Sequence, residues 1–449
     1  MSVCFTNATC ISLDPPTVFK GAVRAEGGLL AAVGSSDEVK PAAGDEVVDL
    51  NGGVLCTGLV VGHHHLYSAL ARGMPAPPKA PTNFPEILER VWWVLDRCLD
   101  AETVEISGLV GLLGAVRCGA TAVVDHHASP SCTPGSLTRL AKSFEAVGVR
   151  GVLCYEVSDR AGRDEARRGI DENNRFMESV NGKGASLLRG VMGGHASFTL
   201  SDDSLGEMAQ SCERAGVGLH IHVLEDAADR TLSVESYGAG PLERLDTFGL
   251  LNEKALVVHG VHLTAEERAL VAKRGATLIH NGRSNMNNAV GRSPLGLLEH
   301  DGVKVALGTD GIDGDILTEA RCAFFRGREE ETPASFGFPL EMLRESQRLV
   351  ARHFDAPVGK LQPGAPADLT LLSYVPQTPM EASNLAGHLF FGGLGPENVH
   401  SVMVDGRFIL RNGEFVNVDT AATYERARGA AKGLWAAMKE LWKKELSGA

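Results

Sequence analysis

From residue 59 onward, short apolar runs alternate with longer segments of helical period. The runs fall at 59–65, 120–126, 151–157, 188–192, 217–223, 256–259, 276–280 and 303–307, and amphipathic stretches such as 137–146, 204–215, 265–273 and 341–353 lie between or beyond them. Eight strand-length runs with helices in the gaps predict repeated βα units closed as a (β/α)8 TIM barrel, an α/β fold. Gly119, Gly216 and Gly275 precede several of the runs, as helix C-caps that feed the next strand do.

Both ends of the chain have another texture. Residues 1–57 carry apolar segments at 18–23, 29–33 and 46–50 between Gly, Pro and Asp turns, and the same pattern returns at 369–372 and in a hairpin, 399–404 and 407–410 around Asp405-Gly406. Neither set has the apolar surface for a core of its own, so together they predict a small composite β domain. The expected division is 1–57 for its first part, 58–358 for the barrel, and 359–449 for its second part plus a terminal helix. That helix, 423–446, gathers Leu434, Met438, Leu441 and Trp442 for packing on the body or on a partner subunit, and a homodimer or larger homo-oligomer is expected. After the first run comes a long segment with Pro75, Pro77, Pro78, Pro81 and Pro85 followed by Trp92 and Trp93, suited to wall or cover the barrel mouth.

Composition narrows the partners. With 56 acidic against 43 basic residues, a net charge of -13 and no basic block, nucleic acid is excluded as the main partner. Nine scattered cysteines without a CxxC pair read as reduced thiols and point to the cytoplasm. No leader pattern or membrane-length apolar run is seen, so no membrane role is expected.

The chemistry gathers at the ends of the predicted strands. In Gly62-His63-His64-His65, His63 and His65 share one face of an extended chain and can reach one ion together. His220 and His222 repeat the parity on the fifth run; His222 is nearer the mouth, and His220 sits deeper as packing or support. Glu225 follows on a loop that can bend back over an ion. His259 and Asp310 each close an apolar run, where an ionisable group is paired, ligating or catalytic. Asp310 supplies the oxygen that completes a His63, His65, His222 and Asp310 set. His195 ends the fourth run as a substrate contact or a capped loop residue, and Arg72, His127, Arg283 and Asn285 are further candidate substrate contacts. The asparagines around Asn285 equally suit turn stabilisation.

These residues stand in motifs that resemble the amidohydrolase superfamily, in the branch holding cytosine, guanine and S-adenosylhomocysteine/methylthioadenosine deaminases with triazine hydrolases. The resemblance spans nearly the whole chain, through GLVVGHHH at 58–65, HASFTLSD at 195–202, HIHVLE at 220–225, HGVHL at 259–263, HNGRSNMN at 280–287, LGTDG at 307–311 and the tail at 359–372. It implies metal ligation by His63, His65, His222 and Asp310, with Glu225 and His259 catalytic, Asp310 also taking a proton, and a small heterocyclic substrate. Thr57 and Gly282 stand where the family usually has proline. Two-metal members bridge their ions with a lysine at the end of the fourth strand, where this chain has Met192-Gly193-Gly194-His195. One divalent transition metal per chain is therefore expected, zinc first and iron second. The expected reaction is hydrolytic deamination; ring-opening amide hydrolysis at the same ion and a catalytically silent metal-binding scaffold are the alternatives.

Overall fold

The computed structural model describes residues 2–182, 184 and 186–447. Its strands form two sheets. The barrel strands run in order Leu59–His64, Ala120–His127, Arg150–Val157, Met192–Ala196, Leu219–Val223, Leu256–His259, Thr277–His280 and Lys304–Leu307. Neighbours along the path pair in parallel, and a parallel bridge from His64 to Asp310 joins the first strand to the chain just past the eighth. This is the expected (β/α)8 barrel.

The fourth strand differs from the expectation at 188–192. Leu188–Gly190 is a short strand paired with the third, and the barrel strand proper follows at Met192–Ala196. Apolar patterning missed it because Gly193 and Gly194 have no side chains to read. At Gly193 the third strand lies so near that a Cβ would come within 2.9 Å of Cys154 Sγ.

The second sheet is the composite one. From the N-terminal part come Ser2–Ser12, Thr17–Glu26, Leu29–Gly34, Glu46–Asp49 and Val54–Thr57; from the C-terminal part, Leu369–Leu372, Val399–Val404, Arg407–Arg411 and Glu414–Phe415. The halves meet where Val54–Thr57 pairs antiparallel with Leu369–Leu372. Ser2–Ser12 was not expected, because Thr6, Asn7 and Thr9 interrupt its apolar pattern; a register shift between Phe5 and Ala8 absorbs the break. A buried ion pair ties this sheet to the barrel: Arg150 Nε donates to Asp368 Oδ2 at 2.5 Å and its Nη2 to Oδ1 at 3.1 Å.

The proline-rich segment leads into consecutive helical turns, Phe84–Ile87, Leu88–Trp92 and Trp93–Arg97. The terminal helix, Thr420–Ser447, braces them. Trp442 Nε1 donates to Arg90 O at 2.8 Å, Arg97 pairs with Glu445 at 2.6 Å, and Trp435 Nε1 donates to Leu70 O at 3.0 Å. Leu434, Met438 and Trp442 are buried within their own chain, so the apolar stripe of this helix packs on the body. No helix among the described residues is long and apolar enough to cross a membrane.

Candidate metal centre and active site

Barrel closure builds the centre. Thr309 and Asp310 both donate their backbone N–H to His63 O, at 2.8 and 3.2 Å, bringing the end of the eighth strand onto the HHH triplet. Gly308 permits the approach: a side chain there would come within 2.7 Å of His63 Cβ. His259 and Asp310 have φ of 75° and 52°, a left-handed conformation costing about 1–3 kcal/mol each for such residues. The fold holds that strain where both side chains turn into the barrel mouth.

The expected donors lie close together, although the compact group of four, within 4.8 Å of one another, is His63, His222, His259 and Asp310, with His65 beside it. His65 Nε2 lies 3.0 Å from Asp310 Oδ1 and 3.2 Å from His222 Nε2, and His63 Nε2 lies 3.4 Å from Asp310 Oδ1. Ligands about 2.0–2.1 Å from a tetrahedral ion stand roughly 3.3 Å apart, so these spacings fit one ion. The outer nitrogens are committed elsewhere. His65 Nδ1 donates to His126 O at 2.7 Å and His222 Nδ1 to His195 O at 2.8 Å, which turns each Nε2 toward the centre. His63 Nδ1 contacts His220 Nε2 at 2.8 Å, placing His220 in the supporting role expected. The Nε2 atoms of His63 and His259 are buried without a hydrogen-bond partner and face the carboxylates of Asp310 and Glu225 at 3.4 and 3.3 Å. Burial depresses the His65 ring, but the adjacent Asp310 outweighs it and holds the ring up at about 9. Burial likewise opposes ionisation of Asp310, yet contacts from His63 and His65 hold its carboxyl well below the usual range.

A second group, His65, His126, Glu156 and His222, shares His222 with the first. One Nε2 lone pair serves one ion, so the arrangement fits a single divalent metal.

Glu225 behaves differently from Asp310. Burial, then the charge of Asp310, pushes its carboxyl up to about 8, so it carries a proton at neutral pH. Its partners agree. Asn288 Nδ2 donates to Oε1 at 3.1 Å, while Oε2 stands 3.3 Å from His259 Nε2. His259 Nδ1 is bonded to Asn285 Oδ1 at 2.9 Å, so the ring keeps its proton there and offers Nε2 as an acceptor. Burial and the charge of Glu225 also push Asp229 up to about 8.

The pocket over these groups is a cavity of about 60 Å³. Phe84, Leu88, Trp92 and Trp93 of the braced segment wall it, which settles the position of both tryptophans, and Tyr67, Ser68, Phe198, Glu156, Asp229 and Asn288 complete the lining beside the centre. Of the five expected substrate contacts, His195 lines it. Asn285 lies behind His259 as its hydrogen-bond partner. His127 is buried, its Nε2 bonded to Ser129 Oγ at 2.8 Å. Arg72 ends the turn after the first strand, against the helix Ala101–Arg117. Arg283 is bound to Asp313 at 2.7 Å and Glu319 at 2.6 Å, linking the short helix Gly282–Asn287 to the loop and helix that follow the eighth strand. Nor do His280, Asn281 and Gly282 line the cavity.

Sequence reasoning did not single out Glu156 or Asp229; Asn288 belongs to the asparagine-rich segment around Asn285 that it considered. Glu156 had a signal: an acid at an inward position near the end of an otherwise apolar strand, the same feature that marks His259 and Asp310.

Barrel, donor set and buried acid together define a metal-dependent hydrolase. The chain belongs to the amidohydrolase family, whose model matches residues 54–409. It is similar to the 5'-deoxyadenosine deaminase of Methanosarcina mazei, 27% identical over 434 residues that cover 95% of this chain and 97% of the relative. It is also similar to a 5-methylthioadenosine/S-adenosylhomocysteine deaminase of Desulfitobacterium hafniense, 28% identical over 407 residues, 87% of this chain and 89% of that one. Among solved structures, an adenosine deaminase from Xanthomonas campestris with bound zinc superposes with a TM-score of 0.83 at 22% identity, covering 96% and 98% of the two chains. The atrazine chlorohydrolase TrzN from Arthrobacter aurescens, complexed with zinc, gives 0.80 at 20%, covering 96% and 100%.

Proposed function

We propose that this chain hydrolytically removes ammonia from an amino-substituted, purine-like nitrogen heterocycle. The observation that carries the reading is the buried Glu225 carboxyl, its Oε2 3.3 Å from His259 Nε2, at a one-ion centre. Aromatic C–N cleavage needs both a nucleophile and a proton for the ring or leaving nitrogen, and Glu225 is the group positioned to move that proton. The deaminase relatives support this class of reaction, and the zinc-bound neighbours favour zinc over iron. The narrower resemblance of the segments 67–74, 92–97 and 125–130 to the SsnA aminohydrolases favours a purine-derived substrate.

His63, His65, His222 and Asp310 would hold the metal, which would supply Lewis acidity and lower the pKa of water at the barrel mouth. Asp310 is placed to take a proton from the attacking water, and His259 Nε2, fixed by Asn285, orients the nucleophile. Glu225 delivers a proton to the nitrogen as the tetrahedral carbon collapses. Phe84, Trp92 and Phe198 give a flat ring apolar walls and exclude water.

The nine free cysteines support a reducing, cytoplasmic location. Phe325, Phe336 and Phe391, exposed side by side, support a homodimer.

The test is a panel of aminopurines, oxidised purines, pyrimidines and cyclic amides, with ammonia and ring absorbance followed together. Ammonia with the ring intact is the expected result. Ring loss before ammonia appears would establish ring-opening amide hydrolysis instead, and no turnover of any member would leave the scaffold alternative standing.

A further inference from the structure

Two hydrogen-bond acceptors stand together on the pocket wall formed by the third and fourth barrel strands. Glu156 pairs across the strands with Gly193, and His195 lies two residues further along, at a register shift against the fifth strand. Both line the cavity.

Hydrogen-bond accounting fixes what each offers. Thr199 Oγ1 lies 2.8 Å from His195 Nδ1, 3.3 Å from Ala196 N and 3.0 Å from Ala196 O. A hydroxyl donates once and accepts twice. Its proton goes to the carbonyl, which can only accept, so Thr199 accepts from Ala196 N–H and from His195 Nδ1–H. His195 Nε2 is then an unprotonated acceptor facing the cavity. Glu156 Oε2 lies 3.2 Å from His126 Nδ1 without a hydrogen bond between them, and neither carboxylate oxygen has a hydrogen-bond partner among the described residues. Arg160, whose charge reaches Glu156, is bonded instead to Asp96 Oδ2 at 2.7 Å and lies over the Trp93 ring. The carboxylate therefore keeps an acceptor for a ligand.

We infer that Glu156 is a specificity-determining residue which, with His195, recognises a heterocycle edge bearing two adjacent donors, a ring N–H beside an exocyclic amino group. This rests on the heterocycle-deaminase reading and narrows it to rings with a cyclic amidine or guanidine edge. Such an edge gives each acceptor one N–H, whereas an edge of ring nitrogen lone pairs would set lone pair against carboxylate.

The experiment is calorimetric titration of the metal-loaded full chain with three rings: 2-aminopyrimidin-4-one, its N3-methyl derivative, and pyrimidin-4-one without the amino group. The wild type is expected to bind the first roughly 10- to 100-fold more tightly than the other two, the range for a hydrogen bond to a charged acceptor. Glu156→Gln and Glu156→Ala are expected to bring that ratio close to one, with metal content and melting temperature unchanged. Equal affinity of the wild type for all three rings would overturn the inference whatever the variants do, and so would an unchanged ratio in both variants. A nucleoside bound more tightly than its free base, with the gain lost in Glu156→Gln, would overturn it by assigning the carboxylate to a sugar diol. Ammonia release from aminopurines is measured on the same preparations. Turnover without edge selectivity defeats this inference alone; selectivity without turnover defeats the deaminase reading alone.

Discussion

Replacing Glu225 by Gln separates proton delivery from everything else in the site. The amide keeps the length and shape of the carboxyl and an oxygen for Asn288 Nδ2, which now donates to Glu225 Oε1 at 3.1 Å. It removes the one dissociable proton facing His259 Nε2 at 3.3 Å. With burial and the charge of Asp310 pushing the carboxyl up to about 8, the acid form prevails below that pH and is lost above it. The wild-type rate should therefore fall as pH rises through 8, because the acid form is the active one. Loss of a positioned acid costs about 10²- to 10⁴-fold, equivalent to about 2.7–5.4 kcal/mol in the barrier. Steady-state ammonia release should drop by that factor and lose its alkaline limb, while elemental analysis finds unchanged metal. Near-wild-type turnover in the variant would refute the role, and a fall matched by lost metal would show that Glu225 supports the centre instead.

Three further outcomes follow from the same structure. Asp368→Asn leaves the buried Arg150 without its carboxylate, and thermal or denaturant unfolding should show a loss of about 3–5 kcal/mol; a change below about 1 kcal/mol would mean that the ion pair does not tie the two sheets energetically. Trp442→Ala removes a large buried side chain and its bond to Arg90 O, at a cost of about 3–5 kcal/mol in docking of the terminal helix; hydrogen exchange should rise across residues 84–97, and unchanged protection there would contradict the bracing role. Phe391→Asp should convert a dimer to monomer in light scattering, and a wild type that is monomeric at micromolar concentration would remove the dimer reading.

The barrel was legible because strand-length apolar runs recur with helices between them, and the fourth strand was blurred because its inward positions are glycines packed on a neighbour. The histidine and aspartate cluster at the barrel mouth was legible because such residues closing apolar strands have few inexpensive structural roles. Arg283 shows the limit of that logic: an arginine in an asparagine-rich loop reads as a substrate clamp, but its partners, Asp313 and Glu319, are 30 and 36 residues away and no local pattern announces them. Asn285 shows it differently, since its place behind His259 depends on how two loops cross. Glu156 was readable by the rule applied to Asp310 and was passed over beside the histidine motifs.

The account stands on a single ion doing the work at the barrel mouth. Its most direct test is to strip the protein with a chelator and titrate zinc back while following hydrolysis and bound metal together. Activity should be absent in the stripped protein and rise linearly to a plateau at one equivalent per chain, with His63→Ala and Asp310→Ala failing to recover. Full activity in the stripped protein, or a plateau reached only at two equivalents bound at the barrel mouth, would contradict it.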